Sequence, residues 1–176
     1  PAVGTLLVTM LIVLASQDWR WTIAALGVQY AAMFILVAGV WRLELAVVKL
    51  VAGWMATAIL GASQDRSEAV APIEQGRPSG SVFRVLTGGL VCLVVFSVLP
   101  ETADVLSDYL GPLDLPHLAG GMLLVGMGLV MLGLNVGPLR IVLALLVMFS
   151  GFEILYAMVE RSTLVAGMLA LVNLAL

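Results

Sequence analysis

The chain has 176 residues, 62% of them hydrophobic and 11% charged, with a net charge of −3 and a mean hydropathy of +1.14. Soluble domains are about half apolar and about a quarter charged, so this composition predicts an all-α, polytopic integral membrane protein and excludes a soluble globular domain. Eight Lys and Arg form no basic patch that could track phosphates, which excludes nucleic acid as a partner. One histidine and one cysteine cannot build a zinc site, a haem anchor or an iron–sulfur cluster, so no metal or other cofactor is expected.

In chain order, the first predicted span covers residues 3–15 and ends at the Ser16-Gln17-Asp18 turn. The opening at Pro1 and the close at Leu176 within an apolar run suggest that both ends are cut short. Trp19, Arg20 and Trp21 mark a water–lipid boundary. The second span, 21–41, contains Gln29 and Tyr30 and is closed by Arg42. The third, 43–62, carries Glu44 near its start and Lys49 further in. Lys49, Gly53, Thr57 and Gly61 recur every four residues, so they share one helix face. Small residues at that spacing let another helix approach closely, and they predict that Lys49 points into a helix interface. The competing reading is a lysine snorkelling along its stem to the headgroups.

Residues 63–81 are polar, with Asp65, Arg66, Glu68, Glu74 and Arg77, and read as an extramembrane loop between three front helices and four rear ones. The fourth span, 82–99, holds Cys92, a small packed residue, and is expected to stop at Pro100. Residues 101–110 then set Ala103, Leu106 and Leu110 against Glu101, Asp104 and Asp108. With Thr102 as a cap and Gly111 as a stop, they predict a short amphipathic helix lying in the interface. His117 opens the fifth span, 117–135, and reads as a solvated terminal residue; the glycines that follow permit tight helix packing.

The sixth span, 139–159, reaches roughly 31 Å at about 1.5 Å per residue, enough to cross a bilayer. It carries Gly151-Phe152-Glu153-Ile154-Leu155, with Arg140 at its entrance. A carboxylate at the depth of Glu153 usually faces a protein interior or a water-filled path. Ser150, Glu153, Tyr156 and Glu160 give it a polar stripe leading toward the helix end. The seventh span, 163–176, contains Asn173. Arg20, Arg66, Arg77, Arg84 and Arg140 fall on one side of the membrane, and Arg42 and Arg161 on the other. The positive-inside rule puts the first group in the cytoplasm, with the N-terminus outside and the C-terminus inside.

The Gly-rich fifth span, the Arg140 turn and the Gly-Phe-Glu-Ile-Leu helix resemble the K subunit of bacterial complex I and the C subunit of Mrp-type antiporters. Adding Gln29 and Lys49, nearly the whole chain resembles component E of hydrogenase-4-type complexes. The resemblance implies a non-catalytic membrane-arm subunit in a bacterial cytoplasmic membrane, with other, antiporter-like membrane subunits and the lipid bilayer as partners. It places Glu153 on the proton-conducting polar axis and Arg140 on the cytoplasmic turn. The K subunit usually carries a second glutamate in its last helix; this chain has only Asn173 there, an amide that takes up no proton.

The expected function is therefore a contribution to a proton or cation path, with Glu153 and Lys49 as stations. Burial disfavours the charged form of either group and brings proton exchange within reach. Ser150, Tyr156 and Glu160 would line the path, while Gly53, Thr57 and Gly61 pack helices. Two other readings stand beside it: a structural subunit bracing larger membrane partners, and a free-standing small transporter. The last is disfavoured by the absence of an inverted repeat or paired broken helices.

Overall fold

A computed structural model describes residues 2–15, 19–39, 43–68, 80–110, 114–134 and 138–159, together with positions 167, 168, 171, 172 and 175. Six helices run through the described residues: α1 (Ala2–Ala15), α2 (Trp19–Val37), α3 (Leu43–Glu68), α4 (Gly80–Leu110), α5 (Leu115–Leu134) and α6 (Pro138–Val159). Five of them, α2 to α6, are long and apolar enough to cross a membrane. The described part of α1 is shorter, with its apolar stretch at Val3–Ile12. Most of the predicted seventh span, including Asn173, lies outside the described residues, as do Arg42, Arg77, Glu160 and Arg161.

Two predicted boundaries are corrected. The loop placed at 63–81 is shorter, because α3 continues to Glu68 and α4 already begins at Gly80. The polar residues after Ala62 prolong the helix beyond the apolar core instead of ending it. The second correction concerns Pro100. The chain does not break into a span and a separate interfacial helix; α4 runs through the proline to Leu110. Proline removes one backbone donor, so the Phe96 carbonyl loses its usual partner four residues on. Pro100 and Glu101 are both exposed, so the proline ring meets no packed neighbour there. Thr102 does not cap a new helix: its hydroxyl donates back to the Val98 carbonyl at 3.0 Å. Glu101, Asp104 and Asp108 are exposed and Ala103 is buried, so the amphipathic pattern belongs to the last turns of one long helix.

Packing is organised around α2 and α5. The helix α5 packs most extensively on α6, and also on α4 and α1. The glycines of α5 make this possible. A Cβ on Gly121 would lie 2.6 Å from Leu155, and one on Gly128 would lie 2.7 Å from the Met148 backbone nitrogen. From the other side, a Cβ on Gly151 would meet the Val125 backbone nitrogen at 2.6 Å, so α5 and α6 touch backbone to backbone. Gly126 faces Val91 of α4, and Gly120 faces Leu36 and Leu6. The helix α2 carries α1 on one side and α3 on the other, and also touches α5 and α6. The apolar core, with Leu26, Met33, Leu124, Met127, Leu146 and Val147 among its members, lies where α2, α5 and α6 meet.

Candidate functional site

The site begins with the seam between α2 and α3. Gly53 has no side chain because the Tyr30 ring occupies the place where its Cβ would stand. One turn on, Thr57 donates to the Gly53 carbonyl at 2.7 Å and its methyl group faces Gly27. Gly61 then lies against Ile23, and the Trp54 indole donates to the Gly27 carbonyl at 3.2 Å. The small-residue face thus lies directly on α2. Lys49, one turn before Gly53, is carried into the bundle on the same face.

There Lys49 is 7% exposed, and its ammonium nitrogen meets the carboxylate of Glu153, which is 2% exposed. The pair joins α3 to α6, two helices with little direct contact otherwise, so the lysine stem spans the gap. The same turns of α6 are pressed on α5 by Gly151. Glu153 lies about 9 Å from the C-terminal end of α6, and Lys49 about 9 Å from the start of α3, at the same end of the bundle. An ammonium and a carboxylate held together away from water can exist as an ion pair or, after one proton transfer, as an amine and an acid. That choice is the chemistry the site offers.

Ser150 is buried one turn from Glu153 on the same face of α6, and the Tyr30 hydroxyl lies beside it. Tyr156 is not part of this cluster. Its ring is half-buried and stacks on the exposed Phe152 with centroids 5.9 Å apart. Arg140 is half-buried at the opposite end of α6, close enough to Arg84 of α4 for the two cations to repel each other.

His117 departs from its expected place. It is buried, with Nε2 donating to the Leu36 carbonyl at the end of α2 and Nδ1 3.1 Å from the exposed Asp114 carboxylate. The reason is local and tertiary together. The Asp114 carbonyl accepts the backbone N–H of His117 and Leu118 and so starts α5 two residues early, turning the imidazole inward. The last carbonyls of α2 need donors, and the ring supplies one. Sequence reasoning also left Tyr30 without a role; the only signal was two adjacent polar residues, Gln29-Tyr30, inside an apolar span.

Among the described residues no three His, Cys, Asp or Glu side chains gather as metal ligands. No family model, curated protein or solved structure matches this chain.

Proposed function

We propose that this chain is a membrane-arm subunit of an ion-translocating assembly of the complex I-like or hydrogenase-4-like kind, in which the Lys49–Glu153 pair exchanges protons along a path through the bundle. One observation carries the reading: a lysine and a glutamate, both buried, paired inside a largely apolar helix bundle. Intramembrane ionisable groups are expensive and mark ion paths and proton relays. The link to those assemblies rests on the resemblance of the Gly-rich helix, the Arg140 turn and the Glu153 motif. Any redox chemistry belongs to partner subunits, and the membrane is the bacterial cytoplasmic one. Arg84 and Arg140 lie at one end of the bundle, which favours that end as the cytoplasmic side. Asp108→Cys, in a Cys92→Ser background, should then be labelled from outside the cell; labelling from the cytoplasm alone would reverse the orientation.

The test is Glu153→Gln in the native assembly, reconstituted in vesicles. The amide keeps size and hydrogen-bonding capacity but removes titration. Pumping should fall by about tenfold or more while the amount of assembled complex stays constant. Glu153→Asp should retain part of the activity. Full pumping by an intact Gln variant would remove Glu153 from the path.

A second reading makes the pair a brace. It is favoured by the pair's position, linking α3 to α6 where little else does. Replacing both partners with apolar groups distinguishes the two, because a brace tolerates such a swap. The double variant Lys49→Met/Glu153→Leu should assemble and lose pumping if the pair is a proton station, and should assemble and keep pumping if it is a brace.

A further inference from the structure

Beyond the ion pair, three buried oxygens on α2 and α6 have no hydrogen-bond partner among the described residues: Gln29 Oε1, Tyr30 Oη and Ser150 Oγ. All three side chains are at least nine-tenths buried. The two hydroxyls lie side by side, and a bond between them would still leave one hydroxyl hydrogen without an acceptor. Their polarity is not required for packing, since phenylalanine and alanine would fill nearly the same space. Buried polar groups in native proteins are paired with protein or with ordered water. Water is the ligand that fits here, because one molecule accepts from one hydroxyl while donating to the other.

We propose that Tyr30 and Ser150 bind internal water beside the Lys49–Glu153 pair. Resting on the reading of that pair as a proton station, the site also fixes the route: protons reach Glu153 from the α2 side, past Tyr30, not along Tyr156. A proton delivered to the water oxygen leaves as one of the water's other protons and lands on the Glu153 carboxylate. The water is restored, and the hydroxyls end uncharged.

The experiment is radiolytic hydroxyl-radical labelling of the purified full chain in phosphatidylcholine nanodiscs, where radicals form from water next to a side chain. Tyr30 should be oxidised at a rate comparable to the exposed Tyr109, and Ser150→Val should lower the Tyr30 rate severalfold while leaving Tyr109 unchanged. Tyr30 unlabelled while Tyr109 is labelled would overturn the site, leaving a dry contact between two hydroxyls. The wild-type measurement decides this even where Ser150→Val fails to fold. Labelled Tyr30 together with full pumping by the Glu153→Gln variant would keep the water site and overturn the proton-path reading, so the two failures are told apart.

Discussion

Gly53 sets the α2–α3 contact by what it lacks, because the Tyr30 ring takes the space of its missing side chain. Gly53→Leu should therefore displace the ring, push α3 outward and draw Lys49 off Glu153. Overfilling a packed site typically destabilises by about 1–3 kcal/mol, and thermal unfolding in detergent should show a loss of that order. Unchanged stability would mean that α3 is not seated on Tyr30. The four-residue repeat from Lys49 to Gly61 carried this face openly in the sequence, because helix geometry alone aligns it. His117 shows the opposite case. Its partner, the Leu36 carbonyl, is distant in the chain, and no local pattern announces a tertiary contact. His117→Phe keeps a ring but removes the donor, leaving the Leu36 carbonyl with the Gly39 N–H. The expected loss is about 0.5–1.5 kcal/mol, with His117→Gln recovering part of it through its amide N–H. Equal stability of the Phe variant and the wild type would show that the contact contributes nothing.

At the scale of elements, apolar spans were legible because their length and hydropathy depend only on composition within a window. Their ends were less so. Proline is a strong local terminator in water, and Pro100 suggested a break, yet α4 continues for another ten residues to Leu110. Packing of α4 on α5 and α1 holds the helix direction, while the proline ring sits where the chain is exposed. Pro100→Ala should accordingly leave the far-UV circular dichroism of the chain unchanged, because both sides of residue 100 are already helical. A gain in helical signal would show that the proline does interrupt α4. The glycines of α5 give a similar lesson. Their number predicted close packing, but which neighbour each one admits is a property of the assembled bundle. Gly121 and Gly128 admit α6, Gly126 admits α4, and Gly120 admits Leu36 of α2 and Leu6 of α1.

At the scale of the molecule, α3 is the outlying element, held among the described residues by its seam with α2 and by one ionic link to α6. Glu153 and Lys49 were each legible as costly residues in apolar spans. Their pairing was not, because the resemblance and the helix repeat treat the two helices separately. The link makes a prediction about energetics that does not depend on pumping. Lys49→Met alone leaves a buried carboxylate without its cation, and Glu153→Leu alone leaves a buried ammonium; each should lower stability by about 3–5 kcal/mol. In the double variant neither charge remains, and apolar side chains of similar size fill the gap. Its stability should lie close to the wild type, so the coupling between the two changes should equal most of either single loss. Thermal or denaturant unfolding of the four proteins in one detergent gives the cycle. Additive losses would mean that Lys49 and Glu153 do not meet in the folded chain, and α3 would then be held by α2 alone.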